Sequence, residues 1–113
     1  GFYCYVDNRL HRYTVDFQTE LTTDVQVVHG MGVSGAVGIQ PGKQLWQIRQ
    51  EELIPAGSEE LADPEGEFAV KVISDKLTET FRGCRWTSVQ RQRNRQGLRR
   101  IRRGYALSRE VKA

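Results

Sequence analysis

Hydrophobic and polar positions in this chain alternate in short runs of period two, the mark of half-buried β-strands. The clearest run is "EFAVKVISDKLTETFRGCRWTSVQRQ", residues 67–92, where Phe68, Val70 and Val72 alternate with Ala69, Lys71 and Ile73. "SDK" interrupts it as a tight turn, Leu77 opens the next strand, and Gly83 predicts a bend or bulge within that strand. Residues 2–6, "FYCYV", form another strand-like run, and Asp7-Asn8 supplies turn chemistry for a hairpin. After it, Tyr13, Val15 and Phe17 are predicted to share one face, with Thr14 and Asp16 on the other. Val25 and Val27 alternate in the same way with Asp24 and Gln26.

Other stretches are less regular. Gly30, Gly32, Gly35 and Gly38 mark bulges, bends or close backbone approach within strands. "KQLWQIRQEELI", residues 43–54, fits strand or helix by composition, and strand running into loop is the favoured reading. "PAGSEELADPEGE", residues 55–67, is acidic and bracketed by prolines, hence a loop, with one helical turn expected at most at 58–61. Residues 81–109 predict a long hairpin turning near Asn94 and Gly97, with an arginine-rich tip and with Ile101, Tyr105 and Leu107 pointing inward. Six or seven short strands and at most one short helix predict a mainly β chain. The expected fold is one domain, residues 1–113, built as an antiparallel β-sandwich or barrel.

Composition qualifies this picture. The hydrophobic fraction is 38% and the mean hydropathy −0.58, so the core is thin or is completed against neighbouring chains. No apolar run approaches the roughly 18 residues that span a bilayer, and no charged-then-apolar leader opens the sequence, so no membrane span is expected. Cys4 and Cys84 each lie in an aromatic, strand-like setting and read as two reduced, small hydrophobes. The net charge of +3 conceals a bipolar chain. Residues 1–81 hold six basic and thirteen acidic side chains, whereas residues 82–113 hold eleven basic and one acidic. Such a chain suits an external polyanion or other copies of itself.

Catalytic and cofactor signals are weak. His11 and His29 have no motif partner, and the cysteines lack metal-ligand spacing, so no zinc site is expected. "GVSGA", residues 32–36, lacks the second glycine spacing and strand-to-helix setting of a nucleophile elbow. Gly30-x-Gly32-x-x-Gly35 matches a dinucleotide fingerprint by letter only, with no βαβ unit around it. The expectation is no enzyme and no cofactor.

The one strong constellation is arginine. Seven of the thirteen residues in 91–103 are arginine: Arg91, Arg93, Arg95, Arg99, Arg100, Arg102 and Arg103. Guanidinium forks pair with phosphate or carboxylate, so the segment reads as a protein contact, a nucleic-acid contact or a solvated loop. No aromatic lies between Val89 and Ile101 for base stacking, which favours the protein contact. Glu59, Glu60, Asp63, Glu65 and Glu67 offer the acidic counterpart, on a neighbouring copy. The alternative is a small β-barrel nucleic-acid-binding module that uses residues 91–103.

The order of these pieces resembles the tail-tube-type proteins of bacteriophages and contractile injection machines. The likeness rests on "RLHRYTVDFQTELTTDVQVVHGMGVSGAVG", on "GEFAVKVISDKLTETFRGCRWTSVQRQRNRQGLRRIRRGYALSREV" and on its closing "YALSRE". It implies a β-barrel-like sandwich that assembles into hexameric rings, with other tail proteins as partners and transient contact with DNA. It also implies a place in a virion tail assembled in the host bacterial cytoplasm. Two features depart from the family. Members carry a mid-chain helix for which residues 43–54 are a weak match, and an arginine-rich loop facing a DNA-conducting lumen would retard DNA. The second departure places the arginines at a contact between subunits or rings, or makes this a tube-end, baseplate-side or adaptor member.

Overall fold

The computed structural model describes the backbone of residues 1–29 and 36–113, and the side chains of residues 1–23 and 44–113. It contains eight strands: β1 (Phe2–Val6), β2 (Arg9–Leu10), β3 (Thr14–His29), β4 (Ala36–Pro55), β5 (Phe68–Ser74), β6 (Thr78–Asn94), β7 (Gly97–Ala106) and β8 (Ser108–Lys112). All strand pairs are antiparallel, in the order β2-β1-β5-β6-β7-β4-β3, with β8 also against β6. No helix occurs among the described residues. The glycine-marked bends expected at Gly30, Gly32 and Gly35, and Ser34 of "GVSGA", lie outside the described residues.

Local chemistry sets the turns. Asp7 and Asn8 both take positive φ, 52° and 65°, the backbone of a two-residue hairpin turn matched to strand twist. Asn94 Oδ1 accepts from the Gln96 and Gly97 amides and closes the β6–β7 turn. The long strand β6 belongs to two sheets. Its first part pairs with β5 and β8, and residues 85–94 pair with β7. The transition is a bulge. Val70 faces Phe81 and Phe68 faces Cys84, so two residues on β6, Arg82 and Gly83, oppose Ala69 alone on β5. Gly83 supplies the left-handed φ of 67°, and Leu107 packs where its Cβ would stand. The extra residue turns both Phe81 and Cys84 inward, and both are buried.

The two sheets close on Cys4, Val6, Ile48, Phe68, Val70, Val72, Phe81, Cys84 and Ala106, rimmed by Phe2, Phe17, Trp46 and Trp86. Phe17 from β3 meets Phe81 from β6 at 5.7 Å between ring centroids. Both cysteines are free, and burial pushes their thiols up, Cys4 to about 12 and Cys84 to about 11. Beyond Trp46↔Ala106 the β4–β7 ladder ends. From Thr22↔Leu45 to His29↔Ala36, β3 and β4 pair only with each other among the described residues, in a two-stranded ribbon.

Four expectations are corrected. Val15 does not share the face of Phe17: a bulge between Thr14 and Asp16 reverses the alternation, and Val15 is exposed. Residues 43–54 are continuous strand: both edges of β4 are paired over 46–52, by β3 and β7, and one edge is paired on either side of that stretch. Residues 58–61 form no helical turn, since the Leu61 carbonyl turns aside to accept from Arg100 and Arg102. Tyr105 and Leu107 do not point inward, and Ile101 is buried on the opposite face of β7, in register with Glu51 and Gln90. The inward positions of β7 are Leu98, Arg100, Arg102 and Ala106.

Candidate functional site

Period-two alternation sorts the arginines. On β4, Ile48, Gln50, Glu52 and Ile54 point into the molecule, opposite Gly104, Arg102, Arg100 and Leu98 of β7. One row thus carries apolar residues at its ends and Gln50, Glu52, Arg100 and Arg102 in its middle, all buried. Arg99, Ile101 and Arg103 occupy the other face of β7. Arg91 lies opposite Arg100 across the β6–β7 ladder, on the inner side. Only Arg95 of the seven sits in the turn, so the expected arginine-rich tip is two arginine-bearing strands.

Glu52 is the hub. It accepts from Arg100 Nε at 3.0 Å and from Arg102 Nη1, and its other oxygen lies 3.3 Å from His11 Nδ1. Arg100 Nη2 is 2.9 Å from Glu52 Oε1 but not aligned for a hydrogen bond, so it contributes charge. Arg102 Nη1 also donates to Gln50 Oε1 at 2.8 Å, and Gln50 Nε2 donates to Thr14 Oγ1 at 2.9 Å. Arg102 further lies 5.9 Å over the Trp86 ring. Burial alone would raise the Glu52 pKa. The His11 hydrogen bond and the Arg102 and Arg100 charges more than offset this and hold it at about 2.

A second layer comes from the acidic segment 56–67. Glu60 accepts from Arg91 at 2.7 and 3.1 Å and from Arg100 at 2.7 Å. Asp63 takes Arg102 Nε, and the Leu61 carbonyl accepts from Arg100 at 3.0 Å and from Arg102 at 3.4 Å. The Arg91 hydrogen bond, ahead of the Arg100 charge, lowers the Glu60 pKa. The segment therefore lies as a strap across the arginines of its own chain.

Of the acidic candidates, the structure brings Glu60 and Asp63 to the arginines. Glu59, Glu65 and Glu67 are exposed and join no ion pair among the described residues. Arg99 pairs with Glu51 at 3.0 Å on the outer face, where Arg49 joins Glu51 to Asp16. Arg93 and Arg95 are exposed without a carboxylate partner among the described residues, and the Arg103 guanidinium bonds only Gln90 among them. Sequence reasoning missed His11, Gln50 and Glu52. The signal was present in "IRQEELI": Ile48 and Ile54 are two ends of one strand face, with Gln50 and Glu52 between them.

A carboxylate saturated by guanidinium groups and held at about 2 is a poor general acid or base near neutral pH. What this arrangement does well is fix geometry: it pins the strap, β4 and β7 together.

No protein-family model matches the chain, and no curated protein matches it. Among solved structures it is similar to a chain in the extended-state sheath/tube terminator of an extracellular contractile injection system, PVC. The TM-score is 0.65 at 13% identity, covering 99% of this chain and 93% of that one. It is also similar to a chain in the extended-state sheath-tube complex of such a system, at TM-score 0.61 and 13% identity, covering 99% and 88%. At this identity the likeness establishes a shared fold: the chain has the fold of components of contractile injection particles.

Proposed function

We propose that this chain is a structural subunit of a phage tail or tail-like particle, and that it self-assembles, as a ring, through its sheet edges. The observation that carries the proposal is the end-to-end match of its fold to chains of contractile injection assemblies. Edge chemistry supports it. The sheet β6-β7-β4-β3 ends in two strand edges that no strand pairs among the described residues: β3, and residues 85–94 of β6. β3 carries Asp16, Glu20 and Asp24 and no lysine or arginine, whereas residues 85–94 carry Arg85, Arg91 and Arg93 and no acid. Unlike edges of this kind suit head-to-tail pairing between copies, and such contacts form a ring where the rotation between copies closes. The partners are further copies and other tail proteins. Electron microscopy of the purified protein tests the reading. Rings or tubes are expected, and a chain that stays monomeric at high concentration counts against it.

One observation favours a second reading, a nucleic-acid-binding module: Arg93, Arg95 and Arg103 have no carboxylate partner among the described residues. That reading requires DNA or RNA affinity that falls steeply with salt and is lost when these three are replaced.

A further inference from the structure

We propose that the acidic strap is exchangeable: in the assembled protein, the strap of one copy docks on Arg91, Arg100 and Arg102 of another. This rests on the self-assembly proposed above and names the groups that meet. The strap is held by charge. Glu60, Asp63 and the Leu61 carbonyl make its contacts to the three arginines, and residues 59–67 make no backbone–backbone hydrogen bond among the described residues. It is bounded by Gly57 and Gly66, at φ 83° and 71°, and a Cβ at either would meet nothing within 4 Å. These are turning points without packing, as hinges require. Without the strap, Arg100 and Arg102 would share Glu52, the one buried carboxylate among the described residues, and Arg91 would have no carboxylate partner among them. A second copy brings the same carboxylates and the same carbonyl at the same spacing, so exchange conserves every contact, which a phosphate would not.

The test uses Glu59→Cys and Val89→Cys: Glu59 neighbours Glu60, Val89 lies opposite Arg102 on the same side of β6 as Arg91, and both are exposed and belong to no ion pair among the described residues. Cys4 and Cys84, buried with their thiols pushed up, stay unreactive at neutral pH. The E59C and V89C proteins are mixed, assembled and treated with a short bis-maleimide reagent. The monomeric E59C/V89C double variant, linked within its own chain, is the reference. Linked dimers confined to the oligomer fraction are expected. Oligomers of the double variant that carry only intrachain links overturn strap exchange and leave assembly standing. A protein that is monomeric throughout overturns both. Loss of the intrachain link on adding single-stranded DNA, without oligomers, assigns the arginines to phosphate and likewise overturns the proposal.

Discussion

Arg102 and Arg103 stand side by side on β7, yet Arg102 is wholly buried among Glu52, Gln50 and Asp63 while Arg103 lies exposed, its guanidinium bonded to Gln90 alone among the described residues. The same contrast holds one turn of the pleat earlier, between Arg100 and Arg99. Composition treats the four as one basic cluster. Strand geometry divides them into an inner pair, whose charge is neutralised within the chain, and an outer pair, of which Arg99 is tied to Glu51. The lesson is that an arginine-rich strand has two chemistries: the exposed one is open to any partner, and the buried one is open only to an acidic strap that covers it.

The comparison breaks most severely at Glu52. Glu52→Leu leaves two buried guanidinium groups without their shared carboxylate, a loss of about 3–5 kcal/mol. That approaches the whole stability of a small domain. Urea denaturation is expected to show a large fall in midpoint or no cooperative transition. Glu51→Leu, one residue away on the outer face, is expected to lower the midpoint far less.

Acid sharpens the same contrast. Glu52 is held at about 2 in the fold, below its ordinary 4.5. Its contribution is therefore complete above pH 4.5 and is lost as pH falls from there towards 2. Glu60 is lowered too and adds to the loss in the same direction. Circular dichroism across this range is expected to show unfolding that the E52Q variant, if it folds, shows to a smaller extent, keeping only the Glu60 part.

Removing the strap charges is milder. Glu60→Gln with Asp63→Asn should cost about 1–2 kcal/mol, because Asp63 is 40% exposed and water screens and replaces part of what is lost. The expected readout is increased proteolysis between Gly57 and Gly66 with the sheet intact. Smallest of all, Arg103→Gln should move the melting midpoint by no more than about 3 °C.

Much of the fold was legible from the residues. Asp7-Asn8, "SDK", Gly83 and the Asn94–Gly97 turn each announce themselves through residue types that the backbone there requires. The Thr14–Asp16 bulge was not legible, because nothing in "YTVDF" distinguishes a regular strand from one with an inserted residue. At the site, the arginines and the acidic segment stood out by charge. Their meeting within one chain did not, because it depends on Gln50 and Glu52 facing inward, and polar residues at inward strand positions read as outward ones until register is known. Reading Leu98, Arg100, Arg102 and Ala106 as one face, with Ile48 and Ile54 opposite, would have found it.

The most direct measurement is sedimentation velocity on a triple variant, Arg85→Glu with Arg93→Glu and Arg95→Glu, beside the wild type. These three arginines are exposed and make no ion pair among the described residues. The expected result is a variant that unfolds as cooperatively as the wild type and no longer self-associates. Oligomers indistinguishable from those of the wild type would contradict the assignment of the exposed arginines to subunit contact.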